Sequence, residues 1–367
     1  MDGTFIPGLR LAGEFYAQAV RPLLDEEFPG LRYAAALLGP GSEVLGFDTE
    51  RSTDHDWGPR LQVFLGADDA ERLAGPITGM LASRLPSVFS GYPVATAVSR
   101  EPGGGARHRV QVADLDGWLT GQLGFDPRHG VTLQDWLATP YQRLAEVTAG
   151  AIFHDGPGEL SRARAALHWY PRDVWLYLLS CQWRRISQEE AFPGRCAEAG
   201  DDLGSAIVTA RLARDLMCLW LLMDRRYPPY SKWLGTAFAR VPGTGALAVS
   251  LAAALAAADW PDRERHLGRA YLIAAEAHNR LGLTNALDTR TRPFYDRPYQ
   301  VPDAGRFADA LAEAITDPLV RQLPPIGAAD QFLDSTDALV DLRYPRAVIT
   351  ALLLICDQIE ICRPRGS

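Results

Sequence analysis

Near residue 156 the chain changes character. Up to that point, short apolar runs of strand length alternate with amphipathic segments. Residues 33–38 form an apolar run that ends in Gly39-Pro40-Gly41-Ser42, and residues 60–65 alternate with Leu61, Val63 and Leu65 on one face. Residues 109–112 and 150–153 read as two more strands. Helical spacing is expected over 9–27, with Leu11, Phe15, Ala19 and Leu23 in phase, and over 68–85, with a break near Gly75-Pro76. It is also expected over 114–123, 132–137 and 140–148. Beyond 156, segments 157–167, 171–186, 202–226, 232–239, 246–258, 261–281, 304–315 and 328–360 are helix-like almost throughout, with no fixed repeat. The expectation is an α/β domain over 1–156, a small mixed sheet with helices, followed by an all-α helical bundle over 157–367.

Composition narrows the function classes. With 47% apolar and 22% charged residues, the chain is globular rather than disordered. A net charge of −8 argues against a broad phosphate footprint, so nucleic acid is not the expected partner. No apolar run has the length of a membrane span, and the N-terminus lacks a secretory pattern. Cys181, Cys196, Cys218, Cys356 and Cys362 are scattered without zinc-ligand spacing, which fits a reduced, cytoplasmic chain. Of the 37 basic residues only Lys232 is a lysine, which singles it out as a compact point charge.

One stretch carries acids that a strand does not need in order to fold. Asp48, Asp54, His55 and Asp56 crowd the entrance of the strand at 60–65. If the strand extends that far, Asp54 and Asp56 project side by side and His55 lies opposite. Two carboxylates about 6–7 Å apart on one face can bridge a pair of Mg²⁺ ions, as phosphoryl transfer requires. The preceding Gly41-Ser42 turn allows backbone N–H groups and a hydroxyl to approach phosphates. His55 and His108 are expected to shape the domain, since Mg²⁺ prefers oxygen.

Gly41-Ser42, Ser52-Thr53-Asp54-His55-Asp56 and the strand after them resemble the G-S…D-x-D signature of the nucleotidyltransferase superfamily typified by DNA polymerase β. The layout is most similar to the bacterial antibiotic-type nucleotidyltransferases, a minimal α/β catalytic domain followed by a helical one. In the second half, "RRYPPYSKWLGTAFARV", "EAHNRLGLTNAL" and "DQFLDSTDAL" resemble an uncharacterised bacterial family within that superfamily, a domain of unknown function. The resemblance implies Mg²⁺-dependent transfer of a nucleoside monophosphate from an NTP, such as ATP, to a hydroxyl of a small molecule, with pyrophosphate leaving. It gives Asp54 and Asp56 the metal, and Gly41 and Ser42 the phosphates. The superfamily's third acid would stand on the strand at 109–112, where this chain has Gln111; Asp114 is the candidate substitute.

The same resemblance implies that the helical domain completes the active-site cleft with a base and basic phosphate ligands. Glu189 and Glu190 are candidate bases, and Arg195 and Arg214 candidate phosphate ligands. Arg211 and Asp215 have the spacing of an i,i+4 ion pair. Lys232 and Tyr230 follow the rigid Pro228-Pro229 turn and are candidates for the triphosphate, with Trp233 as packing. His278 and Asn279 precede Gly282 and read as a helix cap or as readers of acceptor or base. Asp330, Asp334 and Asp337 read as solvated or capping acids. Two other functions stay open. Gln111 favours a catalytically decayed nucleotide-binding regulatory module, and the third reading is a toxin-like enzyme that nucleotidylates tRNA or protein.

Overall fold

The computed structural model describes residues 5–54, 57–97 and 106–362. Its contacts divide the chain into two units, Met1–Val131 with Arg143–His168, and Thr132–Gln142 with Trp169–Ser367. The division therefore falls after His168 rather than at 156, and a short segment from the first half belongs to the helical unit.

In the first unit, helix α1 (Gly8–Phe15) runs through a π-helical turn (Tyr16–Val20) into α2 (Arg21–Glu27). Pro22 opens α2 and brings no N–H, which fits a register slip at this point. The slip corrects the expected phase. Leu11, Phe15, Val20 and Leu24 are buried, while Ala19 and Leu23 are only partly covered. Strands β1 (Ala34–Leu37) and β2 (Arg60–Leu65) follow, then α3 (Ala67–Arg84). No break occurs at Gly75-Pro76. Pro76 is exposed, so the Arg72 carbonyl that loses its helical partner can turn to water. A small hairpin, β3 (Val88–Phe89) and β4 (Tyr92–Pro93), turns at Ser90-Gly91, both at positive φ. Next come β5 (Ala95–Ala97), β6 (Ala106–Asp114), α4 (Leu115–Leu123), α5 (Leu133–Ala138), α6 (Tyr141–Thr148), β7 (Ala151–Asp155) and α7 (Glu159–Ala166). Of these, α5 belongs to the second unit.

The sheet order is β5-β6-β2-β1-β7. β1 is antiparallel to β2 and β7, and β6 is parallel to β2 but antiparallel to β5. This is the small mixed sheet with helices that the sequence suggested. Strand alternation separates its faces. Leu61, Val63, Leu65 and Val110 join Phe15, Val20, Leu24, Ile77 and Leu81 in the core. On the opposite face Phe64 meets Trp118 of α4 edge-on at 5.0 Å. Further along that face lie Arg60 and Gln62, in register with Arg109 and Gln111.

The second unit centres on α8 (Arg172–Glu189), which is buried almost continuously from Val174 to Trp183. It packs on α10 (Asp202–Met223) and α14 (Gly305–Glu313), with α9 (Phe192–Glu198) between α8 and α10 in the chain. Stacking of Trp183 on Phe307, with ring centres 4.6 Å apart, joins α8 to α14. α11 (Ser231–Ala239), α12 (Gly245–Ala256) and α13 (Trp260–Arg280) precede a two-stranded ribbon, β8 (Arg292–Pro293) with β9 (Gln300–Val301). The unit is therefore helical with one small ribbon rather than all-α. The expected helix at 328–360 resolves into Ala329–Phe332, Thr336–Val340 and Arg343–Cys362.

Candidate functional site

The candidate site of the first unit is built where β1 ends. Gly41 has φ 148°, and a Cβ there would lie 2.4 Å from Arg60 Nη2 and 2.7 Å from Glu43 Oε2. Glycine is required because an ion pair lies against this turn. Arg60 Nε donates to Glu43 Oε1 at 2.7 Å, and its Nη2 donates to the Pro40 carbonyl at 2.7 Å. Glu43 is only 2% exposed, so the pair is largely withdrawn from water. The Ser42 side chain has no hydrogen-bond partner among the described residues, and its backbone carbonyl accepts from Phe47 N at 2.8 Å.

Asp48 is a tie rather than a ligand. Its carboxylate accepts from Gly8 N at 2.7 Å and from Trp57 Nε1 at 3.0 Å, fastening the start of α1 to the segment entering β2. After it comes a 3-10 helix, Glu50–Asp54. The Ser52 hydroxyl accepts from Thr49 N at 3.1 Å, and the Thr53 hydroxyl donates to the Glu50 carbonyl at 2.8 Å.

These hydroxyls give the backbone local partners, so the chain turns instead of extending. Asp54 ends that turn and is not on a strand, which corrects the expected geometry. β2 starts only at Arg60. Asp56 and His55 lie outside the described residues.

Gln62 is buried, and its amide pairs with the backbone of Leu38 in both directions, at 3.1 Å each way. It thus prolongs the ladder past the end of β1. Gln111 stands beside it in the parallel register and is exposed. Asp114 is the N-cap of α4, accepting from Asp116 N at 3.3 Å and Gly117 N at 2.6 Å. Each of its carboxylate oxygens already accepts one of these cap bonds. Arg109 Nη1 donates to the Trp57 carbonyl, close to Gly58 at φ 140°.

In the second unit most of the candidates have structural partners. Glu189 takes both donors of Arg211, with contacts of 2.7 and 2.9 Å, so Arg211 does not pair with Asp215 as its spacing suggested. Asp215 instead receives Arg185 at 3.2 Å and Gln182 at 3.1 Å, while Gln331 donates to Gln182 at 3.0 Å. Glu190 is buried and accepts from Ala304 N at 2.9 Å; burial pushes its carboxyl up to about 7. Arg195 lies over the Phe192 ring at 5.8 Å. Arg214 is 3.7 Å from Asp334 and 4.0 Å from Asp215. Lys232 is exposed on the first turn of α11, with Nζ 4.9 Å over the Trp233 ring and no carboxylate partner among the described residues. Tyr230 is 37% exposed, and its backbone N–H donates to Gln142 Oε1 at 3.1 Å.

His278 is buried. Trp183 Nε1 donates to its Nδ1 at 3.2 Å, so its Nε2 carries the proton toward the Thr284 hydroxyl at 3.1 Å. Burial lowers its pKa to about 4. Asn279 closes the following loop through the N–H and carbonyl of Leu287 at 3.0 and 2.8 Å. Both residues act on the scaffold. Asp330 accepts from Tyr141 N at 3.0 Å, and burial raises it to about 7. The sequence reading missed Glu43, Arg60, Gln62 and the Asp215 network. No local signal marks them, because their partners lie 17 or more residues away in the chain.

The structure therefore defines a mixed α/β unit and a helical unit with one ribbon. Residues 136–234 match a family described as a domain of unknown function (DUF4037). No curated protein and no solved structure matches the chain.

Proposed function

We propose that the chain is an Mg²⁺-dependent nucleotidyltransferase that moves a nucleoside monophosphate from an NTP to a hydroxyl of a small-molecule acceptor, releasing pyrophosphate. The observation that carries this reading is the chain order at one end of the sheet. A strand leads into the Gly41-Ser42 turn, and acids at Asp54 and Asp56 precede the next strand, which has a parallel neighbour in β6.

In this reading Asp54 and Asp56 would hold Mg²⁺. Asp54 and Asp56 offer only oxygen, which that ion prefers, whereas Gln111 is neutral and Asp114 caps its helix. When bound, the ion would neutralise charge on the triphosphate. In this reading the free Ser42 hydroxyl and the turn's N–H groups orient phosphate oxygens. Arg60 and Arg109 stand on the face beside Gln62 and Gln111, and hydrogen bonds to Glu43 and to the Trp57 carbonyl hold them in place. Lys232, a second-unit cation with no carboxylate partner among the described residues, stays a triphosphate ligand in this proposal.

Incubation with each labelled NTP, Mg²⁺ and a metabolite extract, followed by mass spectrometry, tests the reading. A product heavier by one nucleotide supports it. NTP binding without any such product would favour the second reading, a nucleotide-binding module that has lost catalysis. The neutral Gln111 is what favours that alternative.

A further inference from the structure

The proposed transfer leaves unused a hollow in the second unit. It has a volume of about 530 Å³ and is lined by Arg265, His266, Gly268 and Arg269 of α13, with Arg290 and Thr291 from the segment before β8. A smaller hollow of about 350 Å³ shares His266 and Arg269 and reaches Val249 of α12.

The lining itself holds three arginines, Arg265, Arg269 and Arg290, and one acid. Arg265 is paired with Asp262, and Arg290 with Asp288 at 3.0 Å. His266 Nε2 lies 3.7 Å from Asp262. The one acid in the lining, Glu264, is held by Gln300 N, which donates to its Oε1 at 2.7 Å. Arg269 is exposed and has no carboxylate partner among the described residues. It stands one helical turn after Arg265, a spacing at which like charges repel.

The floor is also open where a helix would favour filling it. Gly268 is interior to α13, where glycine is unfavourable, yet a Cβ there would stand 3.7 Å from the Thr291 methyl, an ordinary contact. Alanine would fit and would suit the helix better. Glycine keeps the hollow deep between Arg265 and Arg269.

We propose that this hollow binds the phosphoryl group of a small anion. Three guanidinium groups and an imidazole around one space match a dianion with several acceptor oxygens better than a carboxylate, which a single arginine fork satisfies. Asp262 and Asp288 at the rim disfavour an extended polyanion such as RNA.

Calorimetric titration in Mg²⁺-free buffer at constant ionic strength tests the proposal, with pyrophosphate, inorganic phosphate and acetate as probes. Saturable binding of pyrophosphate or phosphate, and none of acetate, is expected. Arg269→Ala is expected to weaken it at least tenfold, and Arg269→Glu to abolish it. Gly268→Leu, which fills the floor without changing charge, is expected to weaken it at least tenfold in protein with wild-type circular dichroism. Asp54→Asn protein is expected to bind as wild type does, so a failed transfer assay and a failed phosphate titration remain separate results. Absence of saturable phosphate or pyrophosphate binding, or an Arg269→Ala protein with unchanged affinity, overturns the site.

Discussion

In the first unit, polar side chains near the candidate site mostly serve the backbone. Gln62 pairs with both backbone groups of Leu38, Asp48 takes the N–H of Gly8, and Asp114 caps α4. In the second unit several also serve one another. Glu189 meets Arg211, and Asp215 gathers Arg185 and Gln182. A helix satisfies its own interior backbone, so its charged side chains are free to pair across helices. A short strand that ends in a Gly-Pro turn leaves backbone groups exposed, and side chains must complete the ladder. The difference teaches where to look for function: in the sheet unit a residue without a structural duty stands out, as the Ser42 hydroxyl does.

The largest expected effect tests that contrast at the proposed metal ligands. Asp54→Asn and Asp56→Asn are each expected to lower kcat by at least about 100-fold, since metal neutralisation of phosphate charge contributes several kcal/mol. The melting temperature should stay close to wild type. A variant with full turnover at saturating Mg²⁺ removes these residues from the mechanism.

Next in size is the helical network. Asp215→Ala leaves Arg185 and Gln182 without their acceptor and is expected to cost about 3 kcal/mol in urea unfolding, the lower end for breaking a buried pair because Arg185 is a quarter exposed. A loss below about 1 kcal/mol would mean that this unit does not depend on side-chain pairing as described.

A pH series sharpens the comparison further. Glu190 and Asp330 have folded pKa values raised to about 7. The folded state therefore holds protons that the unfolded chain releases above pH about 4, so these two groups lose stability as pH rises toward 7. His278 has the opposite sign: its folded pKa, lowered to about 4, costs stability as pH falls below about 6.5. Glu190→Gln keeps an acceptor for Ala304 N and removes the first penalty. It should stabilise the protein by about 2 kcal/mol at pH 8 and by almost nothing at pH 4. Equal shifts at both pH values would assign the effect to packing instead.

The smallest expected effect is on the fold at Lys232. Lys232→Ala should change unfolding stability by less than about 1 kcal/mol, since only an exposed cation–π contact is lost. NTP titration of the same variant then reads its proposed triphosphate contact alone. Unchanged NTP affinity would leave Lys232 as a surface residue.

Periodicity alone determined the main architecture: the strand at 60–65, with Leu61, Val63 and Leu65 inward, and the predominantly helical texture of the second half. It did so because burial follows period 2 in strands and 3.6 in helices, and both are written in consecutive residues. Only the tertiary structure decided the rest. The π-helical turn moved burial from Ala19 and Leu23 to Val20 and Leu24, a one-residue slip that no pattern announces. The turn that ends at Asp54 came instead from local bonds, since the Ser52 and Thr53 hydroxyls pair with the backbone of Thr49 and Glu50, which apolar periodicity does not register. Asp215 chose Arg185 over Arg211 because helix packing brought a partner from thirty residues away within reach. Pairing of charges depends on distances between elements, and those distances exist only once the core has closed.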